Sequence, residues 1–207
     1  MTNTPAPIAP QNAPLGARLD PTRASQIIES YTPVDVVSSY YKARFLALIA
    51  DHPNDFANRY NYTLGIHGHI TSQAFVYHAG RNAIALMHHK KLDIWVGMGG
   101  HAEPGDADLI ATARREATEE AGFKNLHLMM DTPFDLDIHG FPAKKDQPDH
   151  IHYDIRWLFE TDDDTLTLNQ DEGTAIEWVK ISDLRPKMPM WLANSRLVRG
   201  FEARFLG

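Results

Sequence analysis

The sequence predicts an α/β protein in which a mixed sheet is covered by helices on both sides. Two observations support this fold class. Runs that alternate apolar and polar residues, as strands do, lie on both sides of a stretch with helical periodicity near residues 110–121. A second helical stretch follows the last strand run, and this order of elements is typical of layered α/β domains.

Composition limits the classes of protein to consider. The chain has 207 residues, 43% of them hydrophobic and 23% charged, which suits one good-sized core. A net charge of −7 argues against a general nucleic-acid binder, because such proteins hold phosphates through basic clusters. The absence of cysteine excludes disulfides and cysteine-based zinc sites. No secretion signal or membrane-spanning run is visible, so we expect a soluble cytoplasmic protein.

The N-terminal third of the chain is expected to lie outside the main domain. Five prolines between positions 5 and 21 predict a proline-rich tail or arm over residues 1–30. An accessory helical extension is expected over residues 31–66, with a helix that starts at its N-cap Asp35 and ends at Ala50, before Pro53. Residues 55–65 carry only weak signals. The main domain is then residues 67–207.

Strand patterns recur within this domain. Residues 70–79 and 82–89 are separated by Gly80 and Arg81 and predict a hairpin. Residues 134–139 and 150–160 alternate strictly, and pairing them in register would place their polar residues on one surface. That surface comprises Asp135, Asp137, His139, His150, His152, Asp154 and Arg156. A further strand, AIEWVKI, leads to a terminal helix from about Met190. Its apolar positions, expected to pack on the sheet, are Trp191, Leu192, Leu197, Val198, Phe201 and Phe205.

The stretch GGHAEPGDADLIATARREATEEAGF, residues 99–123, carries the strongest chemical signal. Glu116, Glu119 and Glu120 share one face of the predicted helix, behind a glycine-rich turn, because residues three and four apart are neighbours. An adjacent stripe of apolar residues is suited to packing. The like charges repel one another, and a divalent cation would turn that repulsion into attraction. Carboxylate oxygens suit Mg²⁺ or Mn²⁺, which keep coordination sites for water and substrate phosphate.

This stretch resembles the signature of the Nudix hydrolases. Residues 115–123, REATEEAGF, match the second half of the family's motif position by position. The first half has one extra residue, and Asp106, which five residues separate from Gly100, stands where the family has glutamate. Asp106, Glu103 and Asp108 are therefore alternatives for the family's first carboxylate. The resemblance implies the Nudix α/β/α sandwich and a metal-dependent hydrolysis of a nucleoside diphosphate linked to another group.

The resemblance also implies roles for individual residues. Glu116 and Glu120 would be direct metal ligands, and Glu119 either a ligand or the base that orients water. The carbonyl of Gly99 would be a backbone ligand, and Arg115 would orient a neighbouring glutamate. Glu172 resembles a late-loop carboxylate that the family often recruits to the metal, although an exposed turn glutamate is the alternative. Homodimers are frequent in the family, so the extension is a candidate dimer contact.

Histidines supply the remaining candidates. Alternate strand positions His150 and His152 could bind zinc or iron together with His139 or Asp154, contact substrate, or form an ordinary polar face. His101 lies next to the glycine pair, close to the predicted phosphates. Trp95 either stacks on a base or belongs to the core. The candidate substrate-binding residues are His101, His139, His150, His152 and Asp154.

Three functions are compared. The first is a pyrophosphohydrolase that uses Mg²⁺ or Mn²⁺ at the glutamate helix and acts on a small nucleoside diphosphate derivative. The second is a non-catalytic nucleotide-sensing module on the same fold, against which the intact glutamate pattern argues. The third is a histidine-based metalloenzyme. The group linked to the diphosphate is not readable from the sequence, because a fold does not choose a substrate.

Overall fold

The computed structural model describes residues 18–143 and 148–207. The helices are α1 (Pro21–Ser30), α2 (Val36–Asp51), α3 (Leu109–Ala121), α4 (Leu184–Lys187), α5 (Met190–Ala193) and α6 (Arg196–Phe205). The strands are β1 (Gly68–His78), β2 (Ala83–His89), β3 (Ile94–Val96), β4 (Met98–His101), β5 (His127–Leu128), β6 (Asp135–Phe141), β7 (His150–Glu160) and β8 (Gly173–Lys180).

One mixed sheet joins these strands, and the predicted α/β class is confirmed. β1 and β7 lie side by side and parallel along almost their whole length, and the other pairs are antiparallel. On its other edge, β1 pairs with β4 near its start and with β2 near its end. The β1–β2 hairpin and the antiparallel β6–β7 pair follow the prediction, with Asp137 opposite Asp154 and His139 opposite His152.

Apolar side chains fill both faces of the sheet. On one face Trp157 and Ile155 pack with residues of α1, α2 and α3, including Phe45. On the other face Phe75 packs with residues of the C-terminal helices, such as Leu197 and Phe201. The sheet is therefore covered on both sides, as the sequence predicts.

The N-terminal extension differs from its prediction at one point. α2 has its N-cap at Asp35, whose carboxylate accepts the Ser38 N–H at 2.7 Å, as expected. Residues 21–30, assigned to the proline-rich tail, instead form α1. The cause is local: Asp20 caps the helix, and Pro21 stands at the first helical position, where a proline is favourable. Residues 1–17 of the predicted tail lie outside the described residues.

Two further expectations were wrong. Gly99 and Gly100 lie in strand β4 rather than in a turn, because they pair with Gln73 and Ser72 of β1. The terminal helix is divided into α5 and α6, and Trp191 is 62% exposed instead of packed on the sheet. Among the described residues, no helix combines the length and apolar character needed to cross a membrane.

Candidate active site

Helix α3 and strand β4 form one wall of a cavity of about 420 Å³. The helix begins at Asp108, whose carboxylate accepts the N–H groups of Ile110 and Ala111, and it ends at Gly122 in the left-handed conformation (φ +76°). Ala113, Ala117 and Ala121 face the core, and all three predicted glutamates line the cavity. The helical periodicity thus brings Glu116, Glu119 and Glu120 to one surface, as predicted from their spacing.

Glu120 is the most deeply placed of the three. Its residue is 6% exposed, and its Oε2 accepts the Gly99 N–H at 2.9 Å. Burial, reinforced by the negative charge of Glu116, raises the pKa of Glu120 to about 8. Among the described residues, no lysine, arginine or histidine forms an ion pair with this carboxylate. A buried acidic group without a cationic partner is a feature of functional sites.

Glu116 lies against the backbone of β4. A Cβ atom at Gly100 would come within 2.5 Å of the Glu116 Oε1, so the glycine is needed for this close approach. The Glu116 side chain is 14% exposed. Burial raises its pKa to about 7, although Arg115 acts in the opposite direction.

Arg115 connects the glutamates to the loop before α3. Its Nη1 donates to Glu116 Oε1 at 3.0 Å and to Glu119 Oε2 at 2.9 Å. Its Nε and Nη2 donate to the two carboxylate oxygens of Asp106 at 3.1 and 3.2 Å, and Nη2 also donates to the His101 carbonyl. Burial opposes the charge of Arg115, but these carboxylates outweigh it and raise its pKa. The guanidinium therefore holds two glutamates in fixed positions.

The three alternatives for the first carboxylate have different surroundings. Asp106 is bound to Arg115, Asp108 is the N-cap of α3, and Glu103 lines the cavity. Burial acts to raise the pKa of Asp106, but hydrogen bonds from Arg115 and other donors outweigh it and lower the pKa. Asp106 therefore positions Arg115, whereas Glu103 is open to the cavity.

Glu172 comes from the loop before β8 and lines the same cavity. Its negative charge contributes to the raised pKa of Glu120, and its Oε2 lies 3.9 Å from the Lys91 Nζ. Gly99 also lines the cavity. The predicted metal ligands, Gly99, Glu116, Glu119, Glu120 and Glu172, thus border one space, and their roles as ligands stay a prediction.

The donor set fits a hard divalent cation. Two carboxyl groups with pKa values raised to about 7 and 8 are costly to ionise in the protein alone. A cation bound between them would offset both the burial and the mutual repulsion. Carboxylate and carbonyl oxygens are the ligands that Mg²⁺ and Mn²⁺ prefer. Glu116, Glu120 and Gly99 are the residues that would hold such an ion.

The polar surface of β6 and β7 forms the opposite side of the cavity. The predicted substrate-binding residues all line it; they are His101, His139, His150, His152 and Asp154. Arg156, 5% exposed, donates to Asp135 at 3.0 Å and to Asp137 at 2.9 Å. Asp154 accepts hydrogen bonds from the Thr71 hydroxyl and the Gln73 amide. Part of the predicted surface is therefore a buried network of paired charges, and its histidines border the cavity together with Asp154 and Arg156.

Several cavity residues were not predicted from the sequence. Arg59, from the N-terminal extension, Phe141 and the exposed Trp191 line the cavity. His69 lies directly opposite His152 in the parallel β1–β7 pair. The predicted strand begins at residue 70, and the partner strand of β1 is distant in sequence, so no local signal connects His69 to His152.

Trp95 is only partly buried, packs against the second core and has the Lys187 Nζ 3.9 Å from its ring centre.

Comparison with known proteins agrees with this architecture. The family model described as NUDIX domain matches residues 69–201. A crystal structure of an Ap4A hydrolase from C. elegans superposes with a TM-score of 0.52 at 22% identity, covering 67% of this chain and 98% of that one. A NUDIX family hydrolase from Clostridium perfringens superposes with a TM-score of 0.52 at 18% identity, covering 66% of this chain and 97% of that one. No curated protein sequence is significantly similar to this chain.

Proposed function

We propose that this chain, which belongs to the Nudix family and is a hydrolase of phosphoric anhydrides, is a metal-dependent pyrophosphohydrolase. The proposed substrate is a nucleoside diphosphate linked to another group. Water would attack one phosphorus, and the bond from that phosphorus to the bridging oxygen would break. The proposed cofactor is Mg²⁺, which Mn²⁺ can replace.

One observation carries the proposal: the partly buried Glu116 and the buried Glu120 border a cavity large enough for a ligand, and their carboxyl groups have pKa values raised to about 7 and 8. Such an arrangement is unfavourable for the isolated protein. It is suited to a site that receives a cation together with a phosphorylated substrate.

The residues that border the cavity have separate roles in the proposed hydrolysis. Glu116 and Glu120 would hold the cation with the Gly99 carbonyl, and Glu172 would complete the site. When bound, the ion supplies a lowered pKa for a coordinated water and neutralises charge on the phosphoryl oxygens. Glu119, whose side chain is 53% exposed and accepts a hydrogen bond from the Arg115 Nη1, would accept the proton of the attacking water. Arg115 holds Glu119 and Glu116 in place while the proton moves.

Substrate recognition is assigned to the rim and far wall of the cavity. Trp191 and Phe141 offer aromatic surfaces on which a nucleobase could stack. The histidines of β7 provide hydrogen-bonding groups for the phosphates or the attached group. The fold does not select among nucleoside diphosphate derivatives, since the C. elegans neighbour shares only the fold at this level of identity. Cytoplasmic location and a homodimer also remain predictions.

A panel of nucleoside diphosphate derivatives tests the proposal. Dinucleoside polyphosphates, nucleotide sugars and dinucleotide coenzymes would each be incubated with Mg²⁺ or Mn²⁺ in ¹⁸O-labelled water. We expect cleavage of at least one class, with the label in a phosphoryl product and no cleavage after EDTA. Intact substrates across the whole panel with either metal would contradict hydrolysis and favour the nucleotide-sensing alternative.

A further inference from the structure

Four histidine rings from three strands meet beside the carboxylate site. His69 lies in β1, His101 in β4, and His150 and His152 in β7. The register explains the meeting, because His69 lies opposite His152, and His101 lies opposite Thr71, two residues along β1 on the same face as His69. The ring centre of His69 lies 4.9 Å from that of His101 and 4.8 Å from that of His152. The ring centres of His101 and His152 are 5.2 Å apart.

We propose that His69, His101 and His152 form a second metal site, for a divalent transition-metal ion of the Zn²⁺ type. One ring nitrogen of each residue lies within 4.8 Å of the other two. Nitrogen ligands about 2.0–2.1 Å from a tetrahedral ion are roughly 3.3 Å apart, a separation that modest rotations of the rings can reach. Three imidazoles leave a fourth position open, and His101 and His152 border the cavity.

His69 supplies an independent reason for a ligand at this point. The residue is 2% exposed, and neither of its ring nitrogens has a hydrogen-bond partner among the described residues. Buried polar side chains are nearly always partnered, so this exception needs an explanation. Burial, together with the neighbouring His150 and Arg59, lowers the pKa of His69 to about 3. The ring is therefore neutral and carries a lone pair for a metal ion.

His150 supports the same site from its edge. Its Nδ1 lies 2.9 Å from the Pro148 carbonyl, which can only accept, so Nδ1 carries the hydrogen and Nε2 carries a lone pair. That Nε2 lies 3.1 Å from the Nε2 of His152. A backbone carbonyl that fixes the tautomer in this way is the usual outer partner of a metal-binding histidine. His150 is thus placed either to add a fourth ligand or to set the tautomer of His152.

The alternative set that includes Asp154 is less suited to a metal. His139, His152 and Asp154 are also close together. However, Asp154 already accepts hydrogen bonds from Thr71 and Gln73, and the His139 Nδ1 lies 3.2 Å from the Asp137 Oδ2. Binding an ion there would break existing contacts, whereas His69 has none to lose.

The two sites should select different ions. Imidazole nitrogens favour zinc, cobalt, nickel and iron, whereas the carboxylates of α3 favour magnesium and manganese. The positive charge of Arg59 disfavours a cation at the histidines. The negative charges of Glu103 and Asp154, which line the same cavity, offset this effect. A site of this kind would retain its ion when magnesium is in excess and when the carboxylate site is disabled.

Cobalt binding in excess Mg²⁺ tests the proposal on the full chain, purified without chelator and with any histidine tag removed. Four-coordinate Co²⁺ with nitrogen ligands absorbs visible light far more strongly than Co²⁺ held by oxygen ligands in six-fold coordination. We expect about one such Co²⁺ per chain, displaced by one equivalent of Zn²⁺. His69→Gln and His152→Gln should each weaken Co²⁺ binding by at least about 100-fold.

Two controls separate this site from the carboxylate site. Glu120→Gln should leave the Co²⁺ spectrum and affinity unchanged, as should His127→Gln, an exposed histidine on β5. Circular dichroism of the metal-free variants checks folding, and His101→Gln takes the place of His69→Gln if the latter does not fold. Co²⁺ binding that survives the histidine substitutions, is lost with Glu120→Gln, or is absent in excess Mg²⁺ would overturn the proposal.

Discussion

Replacing Glu120 with glutamine is expected to stabilise the metal-free protein and to remove most of its activity. Glutamine keeps an oxygen that can accept the Gly99 N–H, and it cannot ionise. The wild-type carboxyl, in contrast, must either stay protonated or carry a buried charge. The same substitution removes a ligand charge from the proposed metal site, so turnover should fall by orders of magnitude.

The size of the stabilisation depends on pH in a defined direction. Burial raises the pKa of Glu120 from 4.5 to about 8, so the folded state binds more protons than the unfolded state between these values. Stability of the wild type therefore falls as pH rises through this window. At pH 7, roughly 2.5 pH units above the unfolded pKa, the loss is on the order of 3 kcal/mol at about 1.4 kcal/mol per unit.

Urea unfolding in EDTA between pH 4.5 and pH 8 measures this difference. The Glu120→Gln variant should match the wild type near pH 4.5 and exceed it increasingly towards pH 8. Glu29→Gln, on the exposed surface of α1, is the matched control and should change the free energy of unfolding by less than about 0.5 kcal/mol at each pH. A Glu120→Gln variant that is less stable than the wild type at pH 8 would refute the reasoning.

Two further predictions concern activity. At limiting Mg²⁺, turnover should rise between pH 6 and pH 9, because Glu116 and Glu120 must release protons from groups with pKa values of about 7 and 8 before they bind a cation. Excess Mg²⁺ should shift this profile to lower pH, and a profile independent of Mg²⁺ concentration would contradict it. Asp106→Asn should lower kcat by about 10-fold with little change in KM, because Arg115 loses its charged anchor. Asp108→Asn, which keeps an N-cap, is the matched control, and equal losses in both variants would argue against a positioning role for Asp106.

Local patterns were enough to predict much of the fold. The capping of α2 at Asp35, the β1–β2 hairpin and the shared polar surface of β6 and β7 all depend on neighbouring residues or on alternation. The glutamate face of α3 depends only on helical periodicity. These features are readable because short-range geometry determines them.

Of the features that were not predicted, one has a local cause and the others depend on structure outside the immediate sequence neighbourhood. α1 is the local case: Pro21 is one of the five prolines that predict a tail, although the first position of a helix accepts proline. Gly99 and Gly100 form a strand because of β1, and Trp191 is exposed because the terminal helix is interrupted before Arg196. The histidine cluster needs the parallel β1–β7 pairing, which no local pattern reveals.

Two measurements on the same samples of wild type and Glu120→Gln test the central claim most directly. They are Mn²⁺ binding, followed by electron paramagnetic resonance, and turnover. The claim is that the α3 glutamates hold the cation that hydrolysis requires. We expect wild-type protein to bind Mn²⁺ and to cleave a nucleoside diphosphate derivative, and Glu120→Gln to lose both. Unchanged Mn²⁺ binding and turnover in Glu120→Gln would contradict the account.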